Sequence, residues 1–534
     1  MSWKGIWQTK SYRTLQKAAA KPYDLSRPDA LTAGGRMKKF LCQSPCYTLF
    51  YAAQRVDEQV LGLLAAMADE CRLVEQFRTM RRGSVMNNIE GLDSEERQVL
   101  HTASRDIFSD DPAAPEASAR ARAELKKLEL FLDEIESGEI RGSTGKKFDT
   151  IIQIGIGGSD LGPRAVFEAL KAFRQKGRKA GFIANVDPDD AAAVLGSVNL
   201  ERCLVNIVSK SGTTIETLTN EELVKAALRE QGLKPSAHCI AVTGQGSPLD
   251  NPENYLRSFY MHDYIGGRYS VTSMVGGVTL AFVLGMAKFT EFLQGAAEID
   301  ILAESADFRK NLPLIMAMLG IWNRNFLGLP HLAVLPYSQP LHRFPAHLQQ
   351  CDMESNGKSI QRSGQKLAIK SGPVLWGEPG TGGQHAFYQL LHQGTEIVPV
   401  EFIGFKHCQY ARDLEVKGTS SQQKLTANML AQAAAFAQGR HNENGNRNFD
   451  GNRPSMILFG ERLTPRSMGA LLAIYEAKIV FQGFAWNINS FDQEGVQLGK
   501  ELTGRFLSVI RGEPAPDGLE KAMLEMVMGR GHKC

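Results

Sequence analysis

Six short stretches of the chain concentrate groups able to do chemistry. Gly155-Ile156-Gly157-Gly158-Ser159-Asp160 joins an apolar run to a helical one. Glycines there let the backbone come close to a ligand, and the amides of the following helix point at it. The spacing is near that of a dinucleotide fingerprint, with Asp187 at the end of the next apolar run in the place of a ribose-binding acid. Asp160, however, occupies the third glycine position, where a carboxylate would crowd and repel a pyrophosphate. A sugar or phosphate site is the better reading, and a structural turn is the alternative. Ser209-Lys210-Ser211-Gly212-Thr213-Thr214 follows the apolar run CLVNIV and precedes a helix. Hydroxyls, one ammonium and the open amides of a helix N-terminus suit a phosphate monoester. The spacing of a Walker A loop is absent, and a plain N-cap turn is the alternative.

Gly266-Gly267-Arg268-Tyr269-Ser270 opens a long uncharged stretch. Arg268 is either a surface charge at a helix end or a guanidinium aimed into a pocket where negative charge develops. In Gln350-Cys351-Asp352-Met353-Glu354-Ser355-Asn356-Gly357-Lys358, the two acids point the same way on extended backbone and apart on a helix. One could shuttle a proton; a solvated acidic loop is the alternative. The glycine-rich turn Gly377–Gly383 leads to Gln384 and then His385, at the start of an aromatic helix and well placed to act in a cleft. His392, seven residues on, reads as structural. Lys500 lies in a helical run after Asn487–Gly499, where a surface lysine is the default.

The elements that must position these groups fall into two textures. Residues 1 to about 135 read as helical, including SEERQVLHTASRDIF, which Ser94 opens in the manner of a cap, and the charged helix ARAELKKLELFLDEIESGEI, reached through the connection DDPAAPEASARAR. Beyond them, FDTIIQIG, GFIANV, CLVNIV and HCIAVTG read as short buried strands separated by helices, which predicts a parallel sheet covered on both faces. HLAVLPYS, KLAIKSGPVLWG, EIVPVEFIGF and SMILFG predict a second such sheet. The fold class is α/β. No repeat links the two halves clearly enough to claim a duplication. The uncharged stretch 269–287 nearly has the length of a membrane span, but its serines, threonines and glycines make a core helix the better reading. Residues 440–455, rich in Asn, Gly and Arg, read as a mobile surface loop, and the C-terminal residues as an amphipathic helix.

Composition narrows the function classes. The chain has 534 residues, and 61 Lys and Arg against 58 Asp and Glu give a net charge of +3. That balance predicts no whole-molecule attraction to nucleic acid. Hydrophobic residues at 43% exclude disorder as the main state. Cys42, Cys46, Cys71, Cys203, Cys239, Cys351, Cys408 and Cys534 form no C-x-x-C pair, and no histidine cluster has zinc spacing. A chain able to build its own core needs no disulfide framework, so a reducing compartment is expected. The N-terminus carries no apolar core of signal-peptide length.

Taken together and in order, IGIGGSDLGP, SKSGTTIET, GGRYS, DMESNGKS, GTGGQHAFYQLLHQGT and NINSFDQEGVQLGK resemble the glucose-6-phosphate isomerase (phosphoglucose isomerase) family, from MNNIEGLDSEERQVLHTASRD to LGKEL. The resemblance implies two sugar-isomerase (SIS) domains, each a three-layer αβα unit with a parallel sheet, and helical extensions at both ends. The expected limits are 1–120 for an N-terminal extension packing on the second domain, 121–288 for the first SIS domain with the phosphate loop, 289–510 for the second, and 511–534 for a helical tail. It implies interconversion of glucose 6-phosphate and fructose 6-phosphate with no cofactor or metal, by ring opening and then proton transfer through an enediolate. Glu354 is then the base, Arg268 stabilises the enediolate oxygen, and His385 opens the ring with Lys500 nearby. Ser209, Lys210, Ser211 and Thr214 hold the phosphate, Gly158 and Ser159 line the sugar, and Gln350 and Gln493 bind hydroxyls or phosphate. A cytoplasmic homodimer is also implied, with His385 reaching the site from the other subunit, and no nucleic acid or membrane partner. Two positions depart from the family pattern. Ser211-Gly212 stands where many members have Thr and a bulky residue, and Glu494 where many have an aromatic. A non-catalytic sugar-phosphate sensor is the rival of another class, and an isomerase also acting on mannose 6-phosphate the nearer one.

Overall fold

The structure, a computed structural model, describes residues 3–513 and 518–528. The chain divides into two compact units, Met1–Ser490 and Phe491–Cys534. The strands, in chain order, are β1 (Leu41–Gln43), β2 (Tyr47–Phe50), β3 (Val85–Asn87), β4 (Arg97–Gln98), β5 (Thr150–Ile154), β6 (Lys179–Ile183), β7 (Cys203–Val208), β8 (Cys239–Thr243), β9 (Ser258–Tyr260), β10 (His331–Pro336), β11 (Val374–Trp376), β12 (Val400–His407), β13 (Glu415–Val416), β14 (Thr419–Ser420) and β15 (Ser455–Arg462).

The first sheet has the order β6-β5-β7-β8-β9 and is wholly parallel. Every residue of β5, β7 and β8 is buried, which is why these strands read as unbroken apolar runs instead of alternating ones. The chain enters at β5, moves to β6 on one side, and returns to β7 on the other. The connections therefore part at the carboxyl ends of β5 and β7, where open α/β sheets take their ligands. Both glycine- and hydroxyl-rich loops lie at those two ends.

The second sheet has the order β1-β2-β15-β12-β10-β11. Its parallel strands run β11-β10-β12-β15, the same sequence of moves as β6-β5-β7-β8. The equivalent crevice, after β10 and β12, is a groove of about 450 Å³ whose walls include Tyr337, Gln339, His407 and Gln409. The helix that follows, Ser421–Gln438, is capped by Ser420 and by the Asp413 carboxylate, which accepts from the amide of Ser421 at 2.8 Å.

The N-terminal region is not wholly helical. β1 and β2 form a hairpin whose second strand pairs antiparallel with β15, Leu49 opposite Leu458. Four residues of alternating burial between helical neighbours leave too short a period to stand out. The stretch from Ser94 is not a helix either. Glu96 has φ +48°, a left-handed backbone that ends any helix there, and Ser94 accepts from Ile89 N across a turn. β4 pairs with β3 instead. The charged helix begins earlier than expected, at Pro115, and stops at Gly138 (φ +83°). KLAIK is not strand; only Val374–Trp376 of that run joins the sheet. The loop 440–455 is closed by bridge pairing of Arg440 with Phe449 and by asparagine-capped turns.

The uncharged stretch folds as a short turn (Gly267–Tyr269), a wholly buried helix (Met274–Leu284) and the start of a second (Met286–Ala303), parted at Gly285. Among the described residues one helix, Pro465–Ala485, is long and apolar enough to cross a membrane, and its apolar window is fully buried in this fold. It packs on Met286–Ala303 at backbone contact: a Cβ on Gly469 would lie 1.8 Å from the Phe292 carbonyl oxygen, and one on Gly295 1.8 Å from that of Arg466. Its two buried charges are paired. Glu476 meets Arg105 at 2.6 Å, which also holds Asp300, and Lys478 meets Glu401. Seven cysteines, Cys42 to Cys408, are free thiols; Cys534 lies outside the described residues.

Candidate active site

The loop after β7 folds on its own hydroxyls. Ser209, at the strand end, is buried, and its Oγ lies 2.9 Å from Thr214 Oγ1. Gly212 (φ +68°) donates its amide to Ser209, a tight turn that a side chain would strain. Ser211 Oγ accepts from Thr213. The helix Ile215–Glu230 then starts from Thr214 with no side chain capping it. Its first amides and positive dipole end therefore face the loop, an arrangement suited to an anion. Lys210 departs from the expected arrangement. Its Nζ donates to the carbonyls of Asp263 (2.7 Å) and Ile265 (3.2 Å), tying the loop to the 263–265 segment, and burial pushes its ammonium below the usual lysine range.

The loop after β5 makes a second wall. A Cβ on Gly158 would lie 2.2 Å from the carbonyl carbon and oxygen of Gly267 and 2.8 Å from the Arg268 amide. Gly158 thus lets this loop lie directly on the peptide that carries Arg268. Gln153 donates to Ser159 O at 2.6 Å and fixes the turn. Gln350 Nε2 reaches the open side of Gly157, and its Oε1 is buried with no protein partner. Asp160 is not a misplaced glycine: it pairs with Arg164 one turn on, at 2.7 Å. Asp187 caps the helix Pro188–Gly196 by accepting from Asp189 N, which removes the ribose-binding reading.

Arg268 is 2% exposed, so the surface-charge alternative fails. Its Nε donates to Ser355 Oγ (2.7 Å), its Nη2 to the Ser490 carbonyl (2.6 Å), and its Nη1 lies 3.4 Å from Glu354 Oε2. Residues Gln350–Glu354 form a wide π-type turn continuing the helix Phe344–Gln349, a feature that often marks functional positions. The acidic-loop and extended readings are therefore both corrected, and the two acids separate. Asp352 points inward, 1% exposed, and burial raises it to about 6 against the opposing pull of Lys478. Glu354 stays partly accessible, with 23% of its side chain exposed. A carboxylate with one oxygen beside a buried guanidinium can move a proton and steady the negative charge this creates.

His385 ends the short turn Gly382–His385, just before the helix Tyr388–Gln393. It is exposed, while the preceding Gln384 is anchored to Tyr337 and Asn428. His392 is satisfied by Gln432 at 2.7 Å, as a structural histidine should be. Gln493 and Lys500 belong to the second unit. Gln493 precedes the turn Glu494–Val496, and Lys500 is exposed on the helix Gln497–Ile510. Glu494 is exposed. Among the described residues no cluster of three or more His, Cys, Asp or Glu side chains could hold a metal ion. Sequence reasoning missed Ser355 and Ser490, which accept from Arg268, and Tyr269, whose hydroxyl bonds Ser355. Ser355 stands beside Glu354 within the motif, and that adjacency was the available signal.

A family model described as "Phosphoglucose isomerase" matches residues 50–516. The glucose-6-phosphate isomerase of Desulfotalea psychrophila is 56% identical over 527 residues, covering 98% of this chain and 99% of that protein. That of Chlamydia caviae is 49% identical, covering 98% of each. The crystal structure of a glucose-6-phosphate isomerase from Chlamydia trachomatis superposes with a TM-score of 0.94 at 47% identity, covering 98% of this chain and 100% of that one.

Proposed function

The chain belongs to the phosphoglucose isomerase family, and on that premise we propose which of its residues do the work. The enzyme interconverts glucose 6-phosphate and fructose 6-phosphate, an aldose–ketose isomerisation shared by glycolysis and gluconeogenesis. Ser209, Ser211, Thr214 and the first amides of the helix Ile215–Glu230 hold the phosphate, with Lys210 bracing the loop and adding charge. Gly158, Ser159, Gln350 and Gln493 bound the sugar or its phosphate. His385 and Lys500 serve ring opening, in which the ring oxygen gains a proton from His385 and the anomeric hydroxyl gives one up as the bond to carbon 1 breaks and the carbonyl forms. Glu354 then takes the proton from carbon 2 while the electron pair moves into the carbonyl; the proton on oxygen 2 passes to oxygen 1, and Glu354 returns the carbon proton to carbon 1, which leaves the carbonyl at carbon 2. Arg268 stabilises the enediolate oxygen between those steps, a task suited to a group that keeps its charge when buried.

The observation that carries this reading is the pairing of a 2%-exposed guanidinium with an accessible carboxylate at 3.4 Å. A sensor needs the phosphate loop but has no use for that pair. We also assign a cytoplasmic homodimer, in which the exposed His385 of each chain enters the other chain's site; its exposure on an anchored loop supports this. The domain limits 1–120, 121–288, 289–510 and 511–534 form part of the same reading, supported by β5–β9 falling within 150–260 and β10–β15 within 331–462. The test is a coupled assay supplying fructose 6-phosphate and reading glucose 6-phosphate formation through an NADP-linked dehydrogenase, with Glu354→Gln alongside. Loss of roughly three or more orders of magnitude in kcat is expected for the removal of an essential base. Equal turnover by both proteins would remove Glu354 from the role. Side activity on mannose 6-phosphate is checked with the same protein and a mannose-specific readout.

A further inference from the structure

His385 is exposed at the end of the turn Gly382–His385, so the place of its ring is set by the backbone that carries it. Gly380, Gly382 and Gly383 lie within the five residues before it, and glycines give a turn little stiffness of its own. The turn is instead fastened to Tyr337, which follows β10 and is 1% exposed. A Cβ on Gly380 would stand 2.4 Å from Tyr337 Cε2 and 2.5 Å from Cζ, so the backbone lies against the ring. The Gly380 amide also donates to the Pro336 carbonyl at 2.9 Å. At the tip of the ring, the Tyr337 hydroxyl meets three elements. It donates to Asn428 Oδ1 at 3.0 Å, on the helix Ser421–Gln438. It accepts from Gln384 Nε2 at 3.3 Å, one residue before His385. It lies 3.1 Å from the Tyr388 hydroxyl, three residues after His385. Gln384 Nε2 also donates to Asn428 Oδ1, and Asn428 Nδ2 donates back to Gln384 Oε1 at 3.5 Å.

A phenol has one proton to give and two lone pairs to accept with. The Tyr337 proton goes to Asn428, and Gln384 and Tyr388 take the lone pairs, so its capacity is fully used. Burial raises both phenols above the usual tyrosine range, so this pattern of donors persists at any ordinary assay pH. We propose that Tyr337 and Asn428 are positioning residues for ring opening: they fix Gln384 and Tyr388, and so hold His385, which stands between the two, where it delivers its proton to the ring oxygen. The inference rests on the assignment of His385 to ring opening. Without the Tyr337 hydroxyl, Gln384 keeps only its bonds to Asn428, and Tyr388 loses its partner. One anchor then serves where two stood, and the turn can pivot. A displacement of about 1 Å at a catalytic group costs on the order of 100-fold in rate, and a turn that keeps part of its anchorage should lose less.

The experiment reads ring opening directly, as the rate at which the enzyme interchanges the α and β anomers of glucose 6-phosphate, followed by NMR exchange. Each interchange requires the ring to open, whether or not carbon 2 reacts. The proteins compared are the wild type, Tyr337→Phe, Asn428→Ala, His385→Ala and the double variant Tyr337→Phe/His385→Ala, with a thermal midpoint for each. Tyr337→Phe keeps the buried ring beneath Gly380, so it carries the test if Asn428→Ala fails to fold. We expect Tyr337→Phe, and Asn428→Ala where folded, to slow the interchange about 10-fold. In the His385→Ala background Tyr337→Phe should change it by less than about twofold, because two changes that act through one group do not add. An equal loss in both backgrounds would overturn the proposal, since Tyr337 would then be acting on the fold and not through His385. Interchange at the wild-type rate in Tyr337→Phe would overturn it as well. Interchange at the wild-type rate in His385→Ala is a different failure: it would refute the ring-opening assignment, and with it the reason for the proposal.

Discussion

Gly158→Ala tests whether the position of Arg268 is set by the loop after β5. The added Cβ would stand 2.2 Å from both the carbonyl carbon and the carbonyl oxygen of Gly267, and 2.8 Å from the Arg268 amide. Ordinary contact begins near 3.4 Å, so the Gly267–Arg268 peptide must retreat by about 1 Å or the β5 loop must lift by as much. The atoms in the way are backbone on both sides, and no side chain can rotate aside. Arg268 then moves with its own peptide, against anchors at Ser355 and Ser490 that are 2.7 and 2.6 Å long. A misplacement of about 1 Å in a catalytic group costs on the order of 100-fold in rate, equivalent to about 2.7 kcal/mol of transition-state stabilisation. The coupled assay should therefore show kcat/KM lowered about 100-fold, carried by kcat. The phosphate loop stands on β7 and keeps its own hydrogen bonds, so any rise in KM, from Gly158 at the sugar, should be smaller than the fall in kcat. Overpacking of this kind also costs about 1–3 kcal/mol of stability, read from urea unfolding. A folded Gly158→Ala enzyme with kcat/KM within threefold of the wild type would refute the argument that this contact places Arg268.

Asp352 carries a pH signature. Burial raises its carboxyl from 3.8 to about 6, so the folded state holds a proton that the unfolded chain releases. Its contribution is fully present below about pH 4 and is lost as pH rises to about 6, on the order of 3 kcal/mol in all. Asp352→Asn should flatten the stability difference between pH 4.5 and pH 7, measured as urea midpoints; an unchanged slope would show that Asp352 does not titrate as described. Gly469→Ala should be more severe than any surface change, because its Cβ meets the Phe292 carbonyl oxygen at 1.8 Å. A loss above about 3 kcal/mol, or failure to fold, is expected from forcing apart two core helices, and a thermal midpoint within a few degrees of the wild type would contradict the close crossing.

Buried parallel strands were legible because their signal is compositional: IIQI, CLVNIV and CIAVT are apolar on both faces and cannot be mistaken for an amphipathic surface. The loops after them were legible because glycine and hydroxyl residues cluster where a chain must turn sharply, as at Gly157 (φ +58°) and Gly212 (φ +68°). Arg268 was left ambiguous because burial is a property of its surroundings, and the groups that hold it, Ser355 and Ser490, come from 87 and 222 residues away. The separation of Asp352 from Glu354 depends on a π-type turn, which no residue pattern announces. The β1–β2 hairpin escaped notice because it is completed by β15, some 400 residues later, and four residues alone carry no reliable period. The false helix at Ser94 shows the converse fault. A cap-like serine followed by acids was present, but Glu96 adopts a backbone that excludes continuation.

The two sheets trace the same path, yet their equivalent helix ends are furnished differently. After β12 the helix Ser421–Gln438 already has a resident anion, the Asp413 carboxylate on the amides of Ser421 and Gln422. After β7 the helix Ile215–Glu230 has none of its own. A resident carboxylate and an incoming phosphate compete for the same donors, and the resident has no translational entropy to lose. The fold's internal symmetry is thereby broken by a single acidic side chain. The two crevices thus differ in kind: the helix-end amides after β7 carry no side-chain cap, and those after β12 are already bonded to a carboxylate.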